Sequence, residues 1–129
     1  MPHKNKDAKA AYLREWRKKN RDYVRQKLRE KNSTPEGFAI SKNSRLKRTY
    51  GITLAEYREM FNKQNGVCFI CGNPETNSQR RDNNLSVDHN HITGKVRKLL
   101  CSNCNRGLGE FNDNIIIMER AIQYLKDHQ

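Results

Sequence analysis

The chain has 129 residues, of which 34% are hydrophobic, and a formal net charge of +12. This length allows one domain with an extension, and the low apolar content excludes a large single core. The sequence contains no run of 18 apolar residues and no apolar stretch near its N-terminus, so we expect neither a membrane span nor a secretory signal.

The positive charge is concentrated in the N-terminal part of the chain. Residues 1–50 carry 16 Lys and Arg and five Asp and Glu, a net charge of +11, whereas residues 51–129 carry a net charge of +1. A basic segment of this kind is typical of proteins that bind nucleic acid. A merely solvated helix is the alternative, and binding to an anionic membrane is disfavoured because the segment lacks a broad apolar face.

The N-terminal segment is predicted to be disordered over residues 1–7 and helical over residues 8–31, which lack Gly and Pro and are rich in Lys, Arg, Glu and Ala. Its aromatic residues lie among arginines. They are predicted either to stack on nucleic acid or to pack on the remaining fold or a second subunit, and a coiled-coil contact is a further alternative. These residues are Tyr12, Trp16 and Tyr23.

A second helix is predicted to begin with Thr34 as N-cap and Pro35 in the first helical position, and to end near Gly51. Its C-terminal half carries four basic residues that would contact phosphates without selecting a sequence. They are Lys42, Arg45, Lys47 and Arg48.

The next segment begins with Thr53-Leu54-Ala55-Glu56, which is a capping-box pattern. It predicts a helix that ends at Gly66 and turns three residues inward, namely Tyr57, Met60 and Phe61. Residues 67–70 are predicted to form a short strand. Residues 75–84 are predicted to be a polar loop, whose Arg80 and Arg81 are either solvated or in contact with DNA.

Two Cys-x-x-Cys pairs, separated by 29 residues, predict one zinc site with four thiolate ligands. A disulfide arrangement is the less favoured alternative, since without a signal peptide a reducing compartment is expected. A zinc ion with four thiolates has no open position for water, so any chemistry must lie beside it. The four ligands are Cys68, Cys71, Cys101 and Cys104.

Between the two pairs, residues 85–87 and 95–99 are predicted to form a hairpin, and a short helix is predicted to start at the second pair. Asp88 and Asn105 offer oxygen ligands suited to magnesium, and a neutral His89 can take a proton from water. The alternatives are that Asp88 caps a turn, that Asn105 caps the helix, and that His89 or His91 binds zinc.

A final helix is predicted with Asn112-Asp113 as its cap. Its apolar residues recur at helical spacing, which predicts a face packed as core. These residues are Ile115, Met118, Ile122 and Leu125.

Several of these motifs resemble those of the phage recombination endonuclease VII family, within the broader HNH or ββα-metal nuclease group. The similarity covers roughly residues 45–126. The matching motifs are Tyr-Gly-Ile-Thr at 50–53, Asn-Gly-Val-Cys at 65–68, Cys-Gly at 71–72, Val-Asp-His-Asn-His at 87–91, Thr-Gly-Lys-Val-Arg at 93–97, Leu-Leu-Cys at 99–101 and Cys-Asn-Arg-Gly-Leu-Gly at 104–109.

The resemblance implies an α+β, mostly helical fold, in which a zinc-stapled ββα-metal (His-Me finger) core at residues 45–129 follows a basic helical extension at residues 1–44. It implies a DNA endonuclease that leaves 5'-phosphate and 3'-hydroxyl ends. By the same resemblance, Asp88 and Asn105 match the ligands of a catalytic Mg²⁺ (or Mn²⁺), His89 matches the general base, and His91 matches a histidine near the scissile phosphate. Lys95 and Arg97 add charge nearby.

The resemblance also implies a phage-encoded protein in the cytoplasm of a bacterial host. The partner is duplex or branched DNA, as for a Holliday-junction resolvase, and a homodimer is compatible with the sequence. Two departures weaken the junction assignment: the chain ends 25 residues after Cys104, and Lys98 stands where the family more often has Gly. The alternatives are a nicking or homing-type HNH endonuclease, a nuclease that acts on RNA, and a zinc-stapled DNA-binding module without catalysis.

Overall fold

The computed structural model describes residues 6–77 and 84–129. These residues form a mostly helical α+β structure with one small sheet, as predicted. The elements in chain order are α1 (Lys6–Lys19), α2 (Arg21–Ser33), α3 (Pro35–Tyr50), α4 (Leu54–Lys63), β1 (Ser86–His89), β2 (Val96–Leu100), α5 (Ser102–Glu110) and α6 (Ile115–Asp127). The chain divides into two compact units, Met1–Arg45 and Leu46–Gln129.

The N-terminal helical segment is interrupted at Asn20, so the prediction of one unbroken helix was wrong at this position. The carbonyl of Trp16 accepts from both the backbone N–H of Asn20 at 2.9 Å and its side-chain amide at 2.8 Å, and Asn20 itself leaves the helical conformation with φ −106° and ψ 29°. The prediction of disorder was wrong for Lys6 and Asp7, which lie in α1, and residues 1–5 lie outside the described residues. Neither α1 nor α2 contains a buried residue.

The predicted start and end of α3 are confirmed. The hydroxyl of Thr34 accepts a hydrogen bond from the backbone N–H of Gly37 at 3.1 Å, and Pro35 occupies the first helical position. The helix ends at Tyr50, after which Gly51 has φ +71°. Glycine adopts this left-handed conformation without a steric penalty, so it suits the helix end.

The capping box of α4 is also confirmed. The Thr53 hydroxyl accepts from the N–H of Glu56 at 3.1 Å, and the Glu56 carboxylate accepts from the N–H of Thr53 at 2.6 Å. Hydrogen bonds from Thr53 hold the pKa of Glu56 below its ordinary value of 4.5. The charged form of Glu56 is therefore favoured in the folded protein, and this contribution to stability is lost as the pH falls through the lowered pKa.

The core of the second unit lies between α4, the sheet and the cysteine pairs. The prediction that α4 turns Tyr57, Met60 and Phe61 inward is confirmed, and the hydroxyl of Tyr57 donates to the buried carbonyl of Leu85 at 2.8 Å. The buried side chains are Leu46, Tyr57, Cys68, Leu85, Val87, Leu99, Leu100 and Cys101. Two of these eight residues, Cys68 and Cys101, are predicted metal ligands, so the predicted metal site directly adjoins the apolar core.

Residues 67–70 do not form the predicted strand. The N–H of Cys68 donates to Asn73 at 2.8 Å and the N–H of Gly72 donates to Cys68 at 2.9 Å, which closes a tight turn. Gly72 has φ +72°, which supports this turn. The turn uses backbone groups that a strand would need for pairing, and only Phe69 donates to the sheet, to the carbonyl of Leu99.

The predicted hairpin is confirmed, with β1 and β2 antiparallel. Strand β1 begins one residue and ends two residues later than predicted, and β2 is displaced by one residue. Val87 pairs with Leu99 and His89 pairs with Val96. One residue of β1, Asp88, therefore lies opposite two residues of β2, Arg97 and Lys98. This β-bulge changes the direction in which local side chains point.

Two predictions for the last helix were wrong. Asn114 is the N-cap, with its side chain accepting from Ile117 at 3.1 Å, whereas Asn112 and Asp113 have positive φ and belong to the preceding turn. The apolar face does not pack as core: α6 has no buried residue, and Ile115 is 70% exposed. Helical periodicity predicts an apolar face but does not specify what covers it.

Among the helices of the described residues, none combines the length and the apolar character that crossing a membrane requires.

We expect Thr53→Ala to lower the free energy of unfolding by about 1 kcal/mol, because the amide of Glu56 loses its acceptor. Thr53→Ser keeps a hydroxyl at the same position and is the matched control. Denaturant unfolding of the three proteins measures the effect, and equal stability of the Ala and wild-type proteins would contradict a role for the capping box.

Candidate metal centre and adjoining carboxylate–histidine site

The four cysteines come together at one point of the second unit. Their sulfur atoms all lie within 4.8 Å of one another, and the sulfurs of Cys71 and Cys101 are 3.8 Å apart. Four ligands at a Zn–S distance of about 2.3 Å form a tetrahedron with an edge of about 3.8 Å. The sulfur positions therefore fit a structural ion such as zinc.

Each cysteine pair is held by the local backbone. The first pair flanks the turn closed by Cys68 and Gly72, and the second pair begins α5. Cys101 is the N-cap of that helix, and its sulfur accepts from the N–H of Cys104 at 3.4 Å. This placement orients both sulfurs of the second pair toward the first.

The thiols differ in their acidity. Burial alone would raise the pKa of Cys68, but backbone N–H groups that include that of Cys71 outweigh it and lower the pKa to about 6. Burial raises the pKa of Cys101 and of Cys104. One thiolate is thus favoured without a metal, and full coordination must release protons from the remaining thiols.

Glu75 is a buried residue that sequence reasoning did not single out. Its carboxylate accepts from the N–H of Ser102 at 2.8 Å and from the Ser102 hydroxyl at 2.7 Å, and it also accepts from the N–H of Asn77. It ties the segment after the first cysteine pair to the N-terminus of α5. The available signal was that α5 has no acidic residue in its first turn, so another segment can supply the negative charge.

Gln64 is a second such residue. Its side-chain amide donates to the carbonyl of Leu99 at 2.9 Å, and its oxygen accepts from the N–H of Leu99 at 3.0 Å. The side chain thus pairs with β2 much as a neighbouring strand would. It holds the end of α4 against the hairpin that carries Asp88 and His89.

Asp88 and His89 lie on β1, and His91 lies in the loop that follows. Asn90 shapes this loop, because its side-chain oxygen accepts from the N–H groups of Ile92 and Thr93 at 2.9 and 2.8 Å. The ring centroids of His89 and His91 are 4.9 Å apart. The edge of Tyr50 contacts His89 at a centroid distance of 5.3 Å, so His89 lies between two rings.

The Asp88 carboxylate is buried and bound by Arg97. The guanidinium donates through Nε to Oδ2 at 2.5 Å and through Nη2 to Oδ1 at 2.8 Å. The same Nη2 donates to Asp113 at 3.1 Å. The hydrogen bonds that Arg97 donates to Asp88 raise the pKa of Arg97 further, so the guanidinium is a permanent cation between two carboxylates.

Asn105 lies half-buried in α5, one residue after Cys104, and its N–H donates to the carbonyl of Cys101 at 3.0 Å. Helix α5 contacts both β1 and β2. The carboxylate and amide oxygens of Asp88 and Asn105 suit magnesium chemically. That these two side chains bind one ion stays a prediction.

The predicted phosphate contacts differ in exposure. Arg45, Lys47, Arg48 and Lys95 are exposed, whereas Lys42 is buried with its ammonium 5.9 Å from the ring centroid of Phe38. Arg80 and Arg81, also considered as DNA contacts, lie outside the described residues. Contact of any of these residues with nucleic acid stays a prediction.

Comparison with known proteins agrees with the motifs. A family model described as recombination endonuclease VII matches residues 43–127. The chain is 46% identical over 89 residues to the Gene 59 protein of Mycobacterium phage D29, which is 68% of this chain and 52% of that protein. It is 45% identical over 88 residues to the Gene 59 protein of Mycobacterium phage L5, which is 67% of this chain and 51% of that protein.

The chain therefore spans about half the length of these curated relatives. No solved structure matches the chain.

We expect Cys71→Ser to lower zinc affinity by more than about 100-fold, since even partners outside the ligand shell change metal affinity by about 10–100-fold. Cys71 is exposed, so the substitution removes a ligand without opening a cavity. Asn103→Ser, between the second pair and also exposed, is the control. Zinc analysis and thermal unfolding measure the effect, and a fully zinc-loaded Cys71→Ser protein with unchanged melting would refute the four-sulfur site.

Proposed function

Since this chain belongs to the recombination endonuclease VII family, we propose that it is a magnesium-dependent DNA endonuclease with its active site on β1 and α5. The observation that carries the proposal is that β1, which bears Asp88 and His89, contacts α5, which bears Asn105 and begins at the second cysteine pair. In this proposal, the hairpin and α5 form the ββα-metal core and zinc is structural.

Hydrolysis of a phosphodiester requires an attacking water, a neutralised phosphate and a stabilised leaving oxygen. Asp88 and Asn105 would hold a magnesium ion, which when bound would supply Lewis-acid stabilisation of the phosphate and of the leaving 3'-oxygen. His89 takes the proton from the attacking water, and the products are a 5'-phosphate and a 3'-hydroxyl. His89 is half-buried, so water has access to it, and the rings of Tyr50 and His91 support its orientation.

The proposed substrate is DNA, with affinity supplied mainly by contacts to phosphates. The proposal rests here on the net charge of +11 in residues 1–50 and on the exposure of Arg45, Lys47 and Arg48. One assay distinguishes branched from linear DNA as the substrate: the purified protein is incubated with a four-way junction and with the matching duplex. Preferential cleavage of the junction would indicate a branched substrate, and paired cuts in both of its strands would fit a homodimer.

The second candidate is a DNA-binding protein without catalysis, which the same basic segment favours. The two functions differ in the need for a proton acceptor: a binding protein has no use for His89. A magnesium-dependent product from plasmid DNA separates them, and RNA of the same sequence tests the third alternative.

We expect His89→Ala and Asn105→Ala to cut DNA at least about 100-fold more slowly, because one loses the proton acceptor and the other a metal ligand. Both variants should retain zinc, since neither residue belongs to the sulfur cluster. His128→Ala, at the exposed end of α6, is the control for histidine removal. Undiminished cleavage by both variants would remove the proposed active site.

We expect Arg48→Gln to weaken binding to duplex DNA of any sequence and to reduce the slope of log affinity against log salt by about 1, as for one lost phosphate contact. Arg120→Gln, an exposed arginine of α6, makes the same change of charge away from the predicted contacts. Fluorescence anisotropy across a salt series measures both slopes. Identical slopes for the two variants would exclude Arg48 from the interface.

A further inference from the structure

Arg97 lies on the exposed side of β2, yet its side chain binds a buried carboxylate instead of extending into solvent. Its guanidinium makes a two-point contact with the carboxylate of Asp88, whose side chain is 8% exposed, whereas the Arg97 side chain is 35% exposed. Burying a lone carboxylate is costly, so Arg97 offsets the cost of burying Asp88 when no metal ion is bound.

The bulge explains how the pair forms. Between its paired neighbours Val87 and His89, β1 supplies only Asp88, whereas β2 supplies both Arg97 and Lys98. The extra residue of β2 lets Arg97 meet Asp88, and Lys98 instead lies over the ring of Phe69, at 5.0 Å from its centroid. Bulges commonly redirect a side chain in this way.

Both oxygens of Asp88 accept hydrogen bonds from Arg97, and a divalent cation requires at least one of them. From this geometry we infer that Arg97 is a built-in counter-cation that competes with the divalent metal for Asp88. The inference rests on the proposed function, since it takes Asp88 as a metal ligand. It assigns Arg97 as a positioning residue rather than only as added positive charge.

Asp113 offers the guanidinium a second anchor. It accepts from Nη2 of Arg97 at 3.1 Å and lies in the turn between α5 and α6, outside the hairpin. When a metal ion takes Asp88, Arg97 can therefore keep one carboxylate partner and remain beside the site. Its freed N–H groups are then available to other acceptors, and guanidinium groups pair well with phosphate oxygens.

The test uses the full chain loaded with zinc and free of DNA, with Mn²⁺ binding measured by electron paramagnetic resonance and Mg²⁺ binding by calorimetry. Arg97→Met removes the competing cation and keeps an unbranched apolar side chain. We expect it to bind Mn²⁺ about fivefold or more tightly than the wild-type chain. We also expect it to melt lower without the metal and to gain more in melting temperature on adding it, since the metal then compensates an unpaired carboxylate.

Lys98→Met makes the same change of charge at the next residue and keeps an apolar contact for Phe69, so it is the matched control. If Arg97→Met binds Mn²⁺ no more tightly than Lys98→Met while the wild-type chain binds the ion, the competition is refuted and the proposed function stands. If none of the three proteins binds Mn²⁺ or Mg²⁺, the metal site of the proposed function fails, and the inference fails with it.

The role of Asp113 is separable by a double-mutant cycle. Asparagine at position 113 tolerates the positive φ of 53°, so Asp113→Asn removes the charge without backbone strain. We expect it to weaken Mn²⁺ binding in the wild-type background and to leave binding unchanged in the Arg97→Met background. The same loss in both backgrounds would show that Asp113 acts through its own charge and not through Arg97.

Discussion

Four cysteine sulfurs from two segments that are distant in the sequence converge at one point, beside the apolar core. The first pair lies in a turn with little regular structure, and the second starts a nine-residue helix directly after β2. Helices of this length are marginal in isolation, and a two-stranded sheet has little stability of its own. Because Cys68 and Cys101 also belong to the apolar core, a metal ion bound by the four sulfurs would support core packing at the same place.

Around the cysteine cluster, contacts other than those of the sheet also hold the proposed active-site residues in place. Gln64 attaches α4 to β2, Tyr57 bonds to the carbonyl next to β1, and Glu75 covers the N-terminus of α5. Each contact involves a buried or half-buried polar group with a satisfied partner, which is the condition under which such groups add order rather than cost stability. The residues of β1 and α5 are therefore supported on several sides.

Charged residues differ in their surroundings between the two units: most are exposed on helices in the first unit, and some are buried and paired in the second. Most basic residues of the first unit lie on α1 and α2, which contain no buried residue, and this suits contacts to a phosphate backbone. Residues 51–129 have a net charge of only +1, and the most buried acidic groups of the second unit are engaged by specific donors: Glu75 by Ser102, and Asp88 by Arg97. Pairing with the fixed cation of Arg97 offsets the cost of burying the Asp88 carboxylate as a lone charge.

Features decided by nearby residues were predictable from the sequence by itself. The caps at Thr34 and Thr53, the end of α3 at Gly51, the hairpin and the four sulfur ligands each depend on groups a few residues apart or on a fixed ligand spacing. Only the tertiary structure decided that Glu75 covers a helix, that Arg97 binds Asp88 and that α6 leaves its apolar face exposed. These outcomes depend on strand register and on which distant segment supplies a partner. Neither periodicity nor composition encodes that, because the same apolar stripe or charged residue fits several neighbours equally well.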